Sequence, residues 1–289
     1  MSFSSIIAED ARAIQTRLDQ SMAALSNEPV VQAMRYAALG GKRLRGFLVL
    51  ESARMLGIAP QQAISAAAAV EALHAYSLVH DDMPCMDDDD LRRGQPTVHV
   101  KWNEATAVLA GDALQTLAFE LLCDPALGSA DARIELVKGL AQASGAEGMV
   151  LGQALDIAAE TAQSPLTLDQ ITRLQNGKTG ALICFSAQAG AIIARADPSP
   201  LRAYADCLGL AFQIADDILD VEGDATKTGK RVGKDADAGK ATFVSLLGLD
   251  GAKARALDLV QQAEFHLRPY GERAQNLIAA AHFVISRES

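Results

Sequence analysis

Two clusters of aspartate stand out as chemically costly unless something offsets their charge. The first is His80-Asp81-Asp82-Met83-Pro84-Cys85-Met86-Asp87-Asp88-Asp89-Asp90, with six carboxylates inside ten residues. It follows directly on a charge-poor, Ala-rich stretch, 58–80, so Asp81 and Asp82 fall at the C-terminal end of a buried helix, where the helix dipole disfavours anions. The plain alternative is a solvated acidic loop. The second cluster, Phe212-Gln213-Ile214-Ala215-Asp216-Asp217-Ile218-Leu219-Asp220, lies inside another apolar helix. Asp216 and Asp220 are four residues apart and share a face about one turn apart. Carboxylates in a core-like helix need a counter-charge or a metal. Mg²⁺ suits such positions, because it takes one or two carboxylates and completes its shell with water and phosphate oxygens. The DxDxDG pattern of a helix-loop-helix calcium site is missing from both segments.

Complementary cations occur in short groups. Gly40-Gly41-Lys42-Arg43-Leu44-Arg45 places three at a helix start, where the dipole disfavours them unless an anion binds. Arg92-Arg93-Gly94 follows the Asp run, and Lys178-Thr179-Gly180 opens a long apolar helix. Lys227, Lys230, Arg231, Lys234 and Lys240 populate a polar stretch further on. Singly, each reads as a surface cation. Together with the Asp clusters they describe a site for two polyanions bridged by Mg²⁺, with arginine gripping phosphate bidentately and lysine acting as a point charge.

The elements that must position these groups read as helices almost throughout. Apolar residues recur at three- and four-residue spacing over 5–23, 28–38, 42–56, 60–82, 102–123, 130–144, 147–161, 167–195, 198–221, 241–248, 251–268 and 272–286. No run alternates long enough to claim a strand. Segments 58–80, 180–194 and 208–219 are apolar on nearly all sides, which implies a central layer wrapped by other helices. The expected fold is all-α, one large helix bundle around a central apolar cavity, with residues 1–289 as a single domain. Segment 222–240 is long and polar for a connection and is expected to act as a lid.

Composition narrows the function classes. A formal charge of −10 argues against nucleic acid as a partner. Cys85, Cys123, Cys184 and Cys207 lie too far apart for a zinc site or a disulfide framework. The N-terminal residues lack the basic and apolar regions of a signal peptide. The longest charge-free apolar stretch, 179–194, is short for a bilayer span. A soluble cytoplasmic protein without a membrane span is expected.

The motifs GGKRLR, HDDMPCMDDDDLRRG, GQALD, KTG and FQIADDILD followed by TGK, in that order, resemble those of trans-prenyl diphosphate synthases of the bacterial farnesyl type. The resemblance implies a helical, homodimeric, Mg²⁺-dependent prenyltransferase, with three ions when substrate is bound. It places the two Asp motifs facing each other across a cavity mouth. It assigns Asp81, Asp82, Asp87, Asp216, Asp217 and Asp220 to the metal. It assigns Lys42, Arg45, His74 and Arg93 to the diphosphate of isopentenyl diphosphate. Arg92, Lys178, Lys230 and Lys240 fall to the allylic diphosphate. Thr179 and Gln213, with Lys178, lie near the reacting allylic carbon. Gln153 and Asp156 of GQALD have a purely structural alternative, ordering neighbouring side chains.

Product length is read from Tyr76 and Ser77, five and four residues before Asp81. At the helical rise Tyr76 lies ~7.5 Å deeper than that carboxylate, where a growing chain would meet its ring. Together with the two extra residues inside the first Asp motif, this resembles the C15 synthases. The rivals are geranyl and geranylgeranyl diphosphate synthases, a class I terpene cyclase, and a non-catalytic subunit of a heteromeric synthase. The last would be expected to have lost one Asp motif.

Overall fold

Helix starts and stops account for most of the architecture. A computed structural model describes residues 2–162, 164–222 and 241–286, and these are almost entirely helical. Lys230 and Lys240, and most of the expected lid, lie outside the described residues. The chain divides into two units, one containing the chain up to Lys138 with Ala189–Ala196, the other Gly139–Gln188 and the chain from Asp197 onward.

In the first unit, α1 (Phe3–Met22) is capped by the Ser2 hydroxyl, which accepts from the Ser5 N–H at 3.2 Å. Proline at the first position starts both α2 (Pro29–Ala37) and α4 (Pro60–Asp81). Between them, α3 (Leu44–Met55) begins two residues later than its periodicity predicts, because Arg43 is left-handed, with φ 53°. The interior of α4 is buried on nearly every side, and Ala66–Ala69 have no exposed surface. Such small side chains let neighbouring helices approach closely. A two-residue hairpin pairs Leu91 with Pro96 and Arg92 with Gln95. Periodicity missed it, because two-residue strands carry no alternation. A short α5 (Val98–Lys101) follows, then α6 (Glu104–Leu122), capped by Asn103. At Gly111 of α6 a methyl group would overlap the His80 ring, so glycine makes room for that imidazole.

α7 (Ala130–Ser144) passes from the first unit into the second. There, α8 (Met149–Glu160) precedes α9 (Leu168–Gln175), whose start is a Thr167–Gln170 capping box. A five-residue π-helical turn, Asn176–Gly180, joins α9 to α10 (Ala181–Ala194), so the predicted continuous helix is widened at one turn. α11 (Ser199–Glu222) is pinned to α14 (Gln275–Ser286) by the fully buried Tyr204, whose hydroxyl donates to the Leu277 carbonyl at 2.7 Å. α12 (Phe243–Leu247) and α13 (Leu249–Leu267) complete the unit.

Among the described residues, α6 is long and apolar enough by length and composition to cross a membrane, a stretch that the sequence reading, which weighed only 179–194 and found it short, did not single out. Its Ala107, Ala110, Gly111, Leu114, Leu117, Ala118, Leu121 and Leu122 are buried in the first unit.

Candidate active site

In the first unit, helix ends and the hairpin bring most of the predicted diphosphate ligands together. Arg45, in the first turn of α3, places Nη1 3.5 Å from Nε2 of His74 on α4. Arg93 donates from Nη1 to the Leu39 carbonyl at 3.0 Å, just ahead of the Gly40-Gly41 turn. Gly41 has φ 86°, a conformation that favours glycine, and its missing side chain leaves room for the Arg93 guanidinium, which a methyl group would approach to 2.7 Å. Lys42 is exposed on the same turn. His74 is held well below the usual imidazole pKa, first by burial and then by Arg45, Arg93, Arg92 and Arg43. It is a neutral ring amid cations, able to donate one N–H without adding charge.

Arg43 is the departure from this pattern. Its guanidinium is buried and paired with Glu71 of α4, Nη1 to Oε2, at 3.4 Å. The sequence expectation that all three cations at this helix start serve a bound anion does not extend to Arg43. For Arg43 the anion is internal.

The first Asp motif is shaped by its two-residue expansion. The Asp87 N–H donates to the Asp81 carbonyl at 2.8 Å, bringing these residues together around the Pro84-Cys85 bulge. Asp81 is half-buried and Asp87 exposed. Asp82 is buried and accepts from Arg92 Nε at 2.6 Å. Burial pushes the Asp82 carboxyl up against the opposing pull of Arg92. Arg92 itself is raised, its own burial being outweighed by Asp82. It also lies 3.9 Å from Asp89. The pair thus holds Arg92 in place from within the acidic motif. Tyr76 is buried edge-on to the His80 ring, centroids 5.4 Å apart. Ser77 turns back to donate to the His74 carbonyl at 2.9 Å.

In the second unit the KTG segment forms the π-helical turn, with Thr179 buried. α8 packs so tightly against this turn that a methyl group on Gly152 would overlap the backbone nitrogen of Lys178. Lys178 Nζ meets Asp156 at 2.5 Å, so the aspartate of GQALD orders a neighbour, in line with its structural alternative. The Gln153 Nε2 is buried without a hydrogen-bond acceptor among the described residues. Gln213 donates to the Gln175 Oε1 at 2.5 Å, and Gln175 had no sequence signal. Asp216 is exposed and Asp220 half-buried, whereas Asp217 is buried and accepts the Phe243 N–H at 2.6 Å. The cost anticipated for three carboxylates in a core helix is thus confined to Asp217, which the start of α12 satisfies.

These donors fit Mg²⁺. Among the described residues no group of three or more acidic, His or Cys side chains forms a ready-made cage. In the first unit the half-buried Asp81 and exposed Asp87, and in the second the exposed Asp216 and half-buried Asp220, each offer a few hard oxygens, the donor type Mg²⁺ takes when water and phosphate fill its remaining positions.

Comparison with known proteins decides the family. Residues 27–268 match the family described as polyprenyl synthetase. The chain belongs to the polyprenyl synthetase family. It is 50% identical to the farnesyl diphosphate synthase of Escherichia coli, over 90% of this chain and 90% of that protein. It is 45% identical to the farnesyl diphosphate synthase of Haemophilus influenzae, over 97% and 98%. The crystal structure of an FPP/GFPP synthase from Zymomonas mobilis superposes with a TM-score of 0.89 at 44% identity, covering 98% of this chain and 99% of that one. The all-α fold expected for a family member is thereby established.

Glu71, buried against Arg43 and the Gly46 N–H, is a residue of this cluster that sequence reasoning missed. Its one signal is that it is the only charged side chain between Ala59 and Leu73, one turn before His74.

Proposed function

We propose that this polyprenyl synthetase family member is a farnesyl diphosphate synthase, condensing isopentenyl diphosphate with dimethylallyl and then geranyl diphosphate. The observation that carries the reading is the gathering of Arg45, Arg92 and Arg93 around a neutral His74, beside an Asp motif, in a chain half identical to a farnesyl diphosphate synthase. In each cycle the allylic C–O bond breaks and its electron pair leaves with pyrophosphate. The double bond of isopentenyl diphosphate then supplies the electrons of the new C–C bond, and a proton is lost from the adjacent carbon.

The chain's own residues bind, orient and exclude. Lys42, Arg45, His74 and Arg93 hold isopentenyl diphosphate, with His74 donating an N–H. Lys178 and Arg92, pre-set by Asp156 and Asp82, stabilise the charge developing on the leaving group. Thr179 and Gln213 turn polar oxygens toward the electron-poor carbon. Asp81, Asp87, Asp216 and Asp220 would hold Mg²⁺, with Asp82 and Asp217 bracing them. Bound there, the metal supplies Lewis-acid stabilisation of the departing pyrophosphate.

Tyr76 closes the product space at C15. The working form is a soluble, cytoplasmic homodimer folded as one domain. Exposed apolar side chains such as Leu109 and Ile157 support an assembly, and sizing at twice the 30.4 kDa chain mass checks it.

The deciding experiment incubates the protein with isopentenyl diphosphate and each allylic diphosphate, with and without Mg²⁺, and sizes the products. A Mg²⁺-dependent C15 product from dimethylallyl and geranyl diphosphates is expected. Accumulation of C10 or C20 would reassign the product, and cyclised hydrocarbons would overturn the reading.

A further inference from the structure

The turn carrying Lys42 and Arg45 is built in an unfavourable conformation. Gly40 and Gly41 are left-handed, and Arg43, a non-glycine residue, joins them with φ 53°. α3 also starts without a side-chain cap of its own. Both deficits are met by one buried pair. Arg43 Nη1 reaches Glu71 Oε2 at 3.4 Å, while Nη2 donates to Gln15 Oε1 of α1 at 2.6 Å and to the Ala38 carbonyl. The other Glu71 oxygen, Oε1, accepts the Gly46 N–H at 2.9 Å in the first turn of α3, so a carboxylate from α4 acts as the missing cap. Gly46 admits this approach because a methyl group there would meet Ile14 Cδ1 at 2.6 Å and Glu71 Cγ at 3.1 Å.

The two groups that Glu71 grips are adjacent in sequence to the two cations of the motif. Arg43 follows Lys42, and Gly46 follows Arg45. Glu71 itself stands one helical turn before His74 on α4. One carboxylate therefore sets the position of the turn relative to the helix bearing the third ligand. We infer that Arg43 and Glu71 are positioning residues, a buried ion pair that holds Lys42, Arg45 and His74 in register for a single diphosphate. The inference rests on the proposed function for the identity of that diphosphate. Stability alone does not account for the pair, since a buried ion pair replaced by apolar residues of similar size commonly leaves a protein as stable or more so.

That difference provides the test. In the double variant Arg43→Met/Glu71→Met both charges vanish together, so no buried charge is stranded and the melting temperature should fall only by the lost Gly46 cap, less than in Glu71→Gln. Its KM for isopentenyl diphosphate should rise at least about tenfold, because sub-ångström placement of binding groups is lost. The KM for geranyl diphosphate should change less than about threefold. Glu71→Gln, which strands the Arg43 charge, should show the same split with a lowered melting temperature. Calorimetric binding of inorganic pyrophosphate to the same proteins gives a readout independent of turnover. A parent that binds pyrophosphate and not isopentenyl diphosphate would count against the proposed function, while the variants' pyrophosphate affinities would still judge the pair. Unchanged affinity in the double variant, or equal losses for both substrates, overturns the inference.

Discussion

Tyr76 is where one side chain decides an outcome. Its ring is buried against His80. Tyr76→Ala should move products from C15 toward C20 or longer with a modest loss of total turnover, since no diphosphate or metal residue is altered. Product sizing that still ends at C15 would place the floor elsewhere. Tyr76→Phe should keep the C15 product with little change in turnover, because the floor is the ring and not the hydroxyl. The carboxylates are expected to behave differently from one another. Asp81→Ala and Asp216→Ala should lose most activity and keep their melting behaviour. Asp217→Ala should lower stability too, because it leaves the Phe243 N–H without its acceptor. Thermal denaturation run beside the assay separates the two classes.

At the scale of elements, the contact between α8 and the π-helical turn matters most in the second unit. A π-turn widens the helix by one residue and displaces the side chains on it, here Lys178 and Thr179. Gly152 lets α8 come close enough to brace that turn from outside and lets Asp156 reach Lys178. Gly152→Ala therefore forces the two apart. It should cost about 2–3 kcal/mol in chemical denaturation, the usual scale for overpacking. It should also lower kcat more than Asp156→Asn does, since it moves Thr179 as well as the lysine. Equal effects on kcat would mean that the ion pair, and not the packing, sets the turn.

For the whole molecule, charge and protonation set the conditions of stability. The chain carries −10 formally, and the two Asp motifs concentrate part of that charge. Mg²⁺ with inorganic pyrophosphate should raise the melting temperature more than either alone, because ligands that bind only the native state stabilise it in proportion to occupancy. His74 adds a pH term. Its folded pKa lies below the unfolded value near 6.5, through burial and the surrounding Arg45, Arg93, Arg92 and Arg43. Below pH ~6.5 the unfolded chain takes up a proton that the native imidazole refuses. Its stabilising contribution is thus full above that pH and declines as pH falls, by at most about 1.4 kcal/mol per unit. His74→Gln should flatten the stability profile between pH ~6.5 and ~5, measured by denaturant midpoints. An unchanged slope would show that His74 is protonated in the native state.

By itself the sequence determined the helices, because apolar spacing is a local property read over a dozen residues. Among the described residues, what it missed includes a two-residue hairpin, a four-residue helix, the widened turn and the 3-10 turns at Pro125–Leu127 and Arg268–Ala274, all too short to impose a period. It also determined the family, because GGKRLR, the two Asp motifs, GQALD and KTG occur together in order. What it could not determine is which charges are spent inside the fold. Arg43 and Lys42 are neighbours of the same sign, yet one is buried on Glu71 and the other exposed. Asp216 and Asp217 are alike in sequence, yet one is exposed and the other accepts a backbone N–H from α12. The partners that separate them lie 28 and 26 residues away. Such pairings exist only once helices pack, and burial then makes an internal partner worth far more than it would be in water. Only the tertiary structure assigns those partners.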